Sequence, residues 1–265
     1  MADLATLGIN TSKPGFYNDL QFIRNEQMNP AFLNEYNYFV TQKQFDKKYL
    51  ENAKTKIEKI VKILYEELNK SNIKGACIDI SSALMKILEK EEIWCCQFVG
   101  CLTQIFPKNT KIETNYFYLI DEPTKRFTAP HVWIYAPPFK IIDLSINLQH
   151  YTQHEEMYLP DYIIDDGNGF SSAQITAQDI VSPAAVMYYN ANEEILFRQY
   201  LMQSPDTRDF IFHYEPFTLN VNKINLKYIP IRSGAVDSDL EHLKSINFSG
   251  KYPYDIYIEK IKPIL

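Results

Sequence analysis

The chain has 265 residues, 46% hydrophobic and 14% aromatic, enough for one large domain, or for a core domain carrying an elaboration. Charged residues make up 23%, an ordinary globular share that argues against global disorder. The net charge is −6, and the densest basic stretch, Lys43 to Lys70, is interleaved with Glu51, Glu58, Glu66 and Glu67, so it reads as a solvated helix face and not as a nucleic-acid surface.

The first forty residues mix Asn, Pro and aromatics (Phe16, Tyr17, Phe22, Phe32, Tyr36, Phe39), which predicts short helices and turns packed over the core. Thr41 and Gln44 have capping-box spacing ahead of a strong helical pattern. Ile57, Ile60, Val61, Leu64 and Leu68 recur at three and four residues, one apolar stripe on a helix running to about Asn69. After a short connection with Gly75, a second helix opens at Cys77 and buries Ile80, Leu84, Ile87 and Leu88. Four strand-like segments rich in Ile, Val, Phe, Tyr and Trp follow: Trp94 to Phe106, Asn115 to Ile120, Ala129 to Tyr135 and Lys140 to Ile146. Beyond Gln149 the pattern weakens to a helix near Asn192 to Met202 and strands over Asp209 to Leu219 and Lys223 to Ile231. Helices followed by an antiparallel sheet predict an α+β fold, divided as an N-terminal segment (1–40), a core (41–149) and a C-terminal α/β elaboration (150–265) packed on the same domain.

Three residues carry chemistry. Cys77 stands where a loop becomes a helix, where free N–H groups and the positive end of the helix dipole favour a thiolate and a developing oxyanion. His131 begins a strand and shares a face with Trp133 and Tyr135, while Val132 and Ile134 take the other. Asp143 lies in an apolar strand just after Pro137-Pro138, and a carboxylate so placed needs a partner. A hairpin centred on Pro137 sets His131 directly opposite Asp143, roughly 5 Å apart at Cβ. A two-residue type I′ loop shifts that register by one, but needs a positive φ that Pro cannot adopt.

Gly75-Ala-Cys77 opening a helix, His131-Val-Trp133 on a strand and Ile142-Asp143 on the next strand resemble the transglutaminase-like branch of the papain-like cysteine enzymes, over roughly residues 73–146. The resemblance implies a papain-like/transglutaminase-like core, with Cys77 as nucleophile, His131 as general base and acid, and Asp143 as the carboxylate that orients the base. It leaves the side chain that often completes the oxyanion site unassigned. Trp133, on the His131 face, is a candidate substrate contact. The chemistry expected is thiol-dependent: attack on an amide-type carbonyl, then passage of the acyl group to water or to an amine. Hydrolysis is favoured because it needs one bound substrate. The partner is then a protein, peptide or small amide. Two other classes remain: a non-catalytic peptide- or protein-binding module using the same cleft, and an exported effector that modifies another cell's proteins.

No metal or other cofactor is expected. Cys95, Cys96 and Cys101 lack zinc-ligand spacing and read as buried small hydrophobes. His150 and His154 read as a surface pair, and Asp165-Asp166-Gly167-Asn168-Gly169 as a turn that lacks the later Glu of a calcium loop. No apolar run reaches the roughly 20 residues that span a bilayer, and residues 1–17 show no secretory pattern, so the expected location is cytoplasmic, with dedicated export left open.

Overall fold

The computed structural model describes residues 2–123 and 130–265. Ala129, where the third strand was expected to begin, lies outside them. Two short helices, α1 (Leu20–Met28) and α2 (Asn34–Gln42), precede the long α3 (Lys47–Ser71). The expected cap at Thr41 is corrected: Thr41 belongs to α2 and donates its hydroxyl to the Asn37 carbonyl, while the Asp46 carboxylate accepts the Tyr49 N–H at 2.7 Å and starts α3. The stripe Ile57, Ile60, Val61, Leu64 and Leu68 is fully buried. Helix α3 ends at Asn72, in the left-handed region. Helix α4 (Cys77–Lys90) follows, with Ile80, Leu84, Ile87 and Leu88 in the core.

Among the described residues, eight strands form one curled antiparallel sheet, so the fold is α+β: β1 (Cys96–Ile105), β2 (Asn115–Phe117), β3 (His131–Ala136), β4 (Phe139–Asp143), β5 (Ile163–Asp165), β6 (Ser171–Ser172), β7 (Phe217–Val221) and β8 (Ile224–Gly234). The path is β5-β4-β3-β1-β8-β7-β6, with β2 paired to β1. Residues 224–234 thus supply a strand at the centre of the sheet, between β1 and β7. The β7–β8 turn is made by Asn222 and Lys223, both with positive φ (53° and 69°), as a tight hairpin requires.

Between β6 and β7 lie α5 (Ala177–Ile180), α6 (Pro183–Tyr189), α7 (Glu193–Gln203, capped by Asn192) and α8 (Pro205–His213). They cover a second apolar cluster that includes Cys101, Leu196, Ile211, Ile229 and Ile231. The strand expected over Asp209 to Leu219 is therefore corrected: its first half is the end of α8. Pro205 at the first helical position starts that helix, and it buries Phe210 while leaving Phe212 75% exposed, a division set by helical geometry. A short closing helix, α9 (Pro253–Ile256), returns the C-terminus to the N-terminal helices, where the Tyr257 hydroxyl reaches Glu91 at 2.7 Å and Lys260 pairs with Glu67 at 2.7 Å. Among the described residues, no helix is long and apolar enough to cross a membrane.

Candidate functional site

The β3–β4 hairpin differs from the expected register. Its turn is the two residues Pro137 and Pro138, joined by a cis peptide bond, and Ala136 pairs with Phe139. Continued without interruption, that pairing sets Asp143 opposite Val132, on the face away from His131. A bulge intervenes: β4 gains one residue, and Ile134 pairs with Ile142. The extra residue reverses the in–out sense of the strand beyond it. Asp143 then stands level with Trp133 and diagonal to His131, on the His131 face, at a separation long side chains bridge. The direct pairing of His131 with Asp143 is thus replaced by a diagonal one, because the turn is shorter and the strand is bulged.

The imidazole Nε2 of His131 lies 2.5 Å from Oδ2 of Asp143, and both side chains are completely buried. Three further bonds hold the carboxylate. Oδ1 accepts the Ser145 backbone N–H at 2.9 Å and the Ser145 hydroxyl at 3.0 Å, while Oδ2 also accepts the Tyr228 hydroxyl at 2.9 Å. Burial pushes the Asp143 pKa up, but the charge and hydrogen bond of His131, with the Ser145 and Tyr228 donors, outweigh it and hold it below the usual carboxylate range. For His131 the balance runs the other way. Burial among Phe117, Trp133 and Tyr228 pulls its pKa down, Asp143 pulls it up, and the Cys77 side chain adds to the upward pull, so that it rises to about 10.

The other ring nitrogen, Nδ1, is buried and has no hydrogen-bond partner. Cys77 is the neighbour that bears on it. At 6% exposure the residue packs on Val99 and Val132, the paired residues adjoining Gly100 and His131. Its sulfur acts on the ring both by charge and as a hydrogen-bonding group, short of a well-aligned bond at Nδ1. Helix α4 begins at Cys77 with Ala76 ahead of it, which offers no side-chain cap, so the first-turn N–H groups are not covered from that position. Gly75 shapes the approach: its φ is 67°, its N–H bonds to the Leu148 carbonyl at 2.7 Å, and a Cβ there would lie 2.4 Å from the His150 ring. Cys95, Cys96 and Cys101 are fully buried, and burial raises all three thiol pKa values.

Trp133 is 1% exposed, edge-on to Tyr228 at 5.0 Å and stacked with Phe98 at 6.0 Å; it is a wall and not an open platform. Gly100, opposite His131, leaves no room for a side chain, since a Cβ there would stand 2.1 Å from the Ile229 carbonyl oxygen and 2.7 Å from Trp133. His154 is exposed at a left-handed position, and the His150 ring lies against Gly75. Asp165 and Asp166 accept the N–H groups of Gly167 and Asn168, as turn-forming carboxylates do. No cluster of three or more metal-ligating side chains occurs among the described residues.

Two members of this network carried no weight in the sequence. Ser145 follows Asp143 by two residues, the spacing at which an Asp side chain caps its own turn, and that pattern was legible. Tyr228 lies 85 residues from Asp143 and reaches it only because β8 pairs with β1, setting Tyr228 beside Leu102 on the face shared by Gly100 and His131. Compared with family models, curated proteins and solved structures, the chain matches none.

Proposed function

We propose that the protein is a thiol-dependent acyl-group enzyme built on a papain-like/transglutaminase-like core, with Cys77 as nucleophile, His131 as base and acid, and Asp143 as the positioning carboxylate. One observation carries the reading: an imidazole anchored through Nε2 to a buried carboxylate, with Nδ1 left without a partner and a helix-start cysteine beside it. His131, protonated at neutral pH, already holds the Cys77 proton on Nδ1 as the sulfur attacks an amide-type carbonyl. The imidazolium returns that proton to the departing amine, leaving a thioester. A water molecule, deprotonated by the same nitrogen, then releases the acid and restores the thiol. Asp143 fixes the tautomer with the proton on Nε2 and supports the imidazolium. Hydrolysis is the simpler outcome because only one substrate must bind; an amine in place of water gives transfer.

The test needs no substrate. Iodoacetamide at pH 7 should label Cys77 ahead of Cys95, Cys96 and Cys101, with the label located by peptide mass mapping and absent in Cys77→Ala. His131→Asn should slow that labelling. Equal rates in the two backgrounds would remove the base from the proposal, and an inert Cys77 in the folded protein would favour a binding module in its place.

A further inference from the structure

Trp133 has a second face. Past it the sheet opens into a cavity of about 400 Å³ walled by Phe98, Trp133, Tyr135, Phe170, Tyr214 and Phe217, with Lys140 and Glu215 also on its lining. Neither His131 nor Cys77 lines it. The volume falls in the range of small-molecule sites, and apolar walls with a few polar groups at the edge are their usual make-up. These walls are already locked. Phe98 stacks on Trp133 at 6.0 Å and 16°, Tyr214 stands edge-on to Phe98 at 4.8 Å, and Phe170 lies flat on Phe217 at 4.3 Å and 6°. A ligand entering them therefore loses little to wall rearrangement.

Aromatic walls accept two ligand chemistries, a flat ring or a cation. Lys140 decides between them. Its ammonium lies 5.4 Å over the Tyr135 ring, so that face already carries a positive charge, and a cationic guest would meet it. The stem passes close against Gly167, where φ is 86° and a Cβ would lie 2.7 Å from the Lys140 Cγ. Among the described residues no carboxylate stands within ion-pair distance of the Lys140 ammonium. An unpaired cation at the edge of a stacked-ring slot matches one kind of molecule. We propose that this cavity binds a flat aromatic carboxylic acid, its ring among Phe98, Trp133 and Phe217 and its carboxylate on Lys140. The proposal is independent of the thiol chemistry.

The chain has two tryptophans, Trp94 and Trp133, so Trp94→Phe assigns the Trp133 indole N–H signal in a nitrogen–proton correlation spectrum. Titration of the full chain with trans-cinnamate should move the Trp133 signal saturably and leave Trp94 in place. Lys140→Met, a change at an exposed side chain, should weaken binding about fivefold, the scale of one partly exposed charge-assisted contact. Cinnamyl alcohol should bind the native protein more weakly by a similar factor. Phe170→Ala should weaken acid and alcohol alike, which locates both in the slot. No saturable shift of Trp133, equal affinity for acid and alcohol, an unchanged affinity in Lys140→Met, or a preference for cinnamyltrimethylammonium through Glu215 would each overturn the proposal.

Discussion

Replacing Asp143 with Asn alters one atom of the carboxylate and should reset the ring it holds. The Ser145 backbone N–H cannot reverse its polarity, so the oxygen of the new amide must stay on Ser145, which turns its NH₂ toward His131 and Tyr228. The Tyr228 hydroxyl can rotate to accept. His131 can accept only by presenting a bare Nε2, which moves its proton to Nδ1, the nitrogen that the proposed chemistry needs free. Native His131 rises from 6.5 to about 10, a net shift on the order of 5 kcal/mol that already includes the cost of burial and a share from Cys77. The Asn variant keeps its hydrogen bonds and loses the charge, so a loss of about 3 kcal/mol at pH 6 is expected, or roughly 5 °C in Tm for a chain of this size.

The pH dependence has a definite sign. The folded pKa of His131 lies above its unfolded value, so its stabilisation is complete below about 6.5 and disappears as pH rises through about 10. The folded pKa of Asp143 lies below its unfolded value, so its share is present above about 4 and is lost as pH falls through the depressed pKa. The gap between native and variant Tm should therefore be widest near pH 5 to 6 and close at both ends. In the variant, burial acts on His131 against the smaller pull of Cys77 alone, and its titration followed by NMR should fall well below the native value of about 10. Iodoacetamide labelling of Cys77 at pH 7 should slow at least about tenfold. Native-like Tm across the pH range together with native labelling would refute the reasoning, because the carboxylate would then be neither holding nor charging the ring.

Tyr228→Phe removes one donor to a buried carboxylate and should cost about 2 kcal/mol in urea unfolding. Because Tyr228 helps depress the Asp143 pKa, acid unfolding of that variant should begin at a higher pH than in the native protein. Gly100→Ala should cost about 3 kcal/mol or more, measured by Tm, since the 2.1 Å contact is with backbone that cannot swing aside. Lys86→Met leaves Glu89 without the partner now 3.0 Å away in a 3%-exposed position, a loss of about 3 kcal/mol at pH 7. Burial already holds the Glu89 pKa above the usual range, and without Lys86 it rises further, so the loss should shrink when Tm is measured at pH 5.

What the sequence made legible was what repeats locally. The α3 stripe, the α4 face and the strand identity of β1 through β4 follow from spacing that any window of ten residues displays. Asp209 to His213 was misread because Phe210, Ile211 and Phe212 form an unbroken apolar run, which strand and helix share; the helical start lay upstream at Ser204-Pro205. Thr41 was misread because a side chain with the right spacing capped nothing, while Asp46 did. The pairing of His131 with Asp143 was legible as chemistry and not as register, since a bulge of one residue leaves no mark in a chain of Lys and Ile. Tyr228 was beyond reach, because its contact with Asp143 depends on the order of strands.

That dependence on register bears on what the buried pair is for. An ion pair sealed in a sheet is a poor stabilising device: well-packed apolar side chains of similar volume do as well or better, because two charges must first leave water. Here the molecule adds a bulge in β4 that turns Asp143 inward, a glycine at 100 that lets Trp133 and Ile229 close over the rung, and a tyrosine from a distant strand to complete the carboxylate. After all this, one imidazole nitrogen is still left buried without a partner, a cost of about 1 to 3 kcal/mol that an apolar core avoids. Packing alone gives no reason to orient a ring so carefully and leave half of it unused. The proposed chemistry supplies one, because with the ring protonated at neutral pH that nitrogen is where a proton given up by Cys77 would be held.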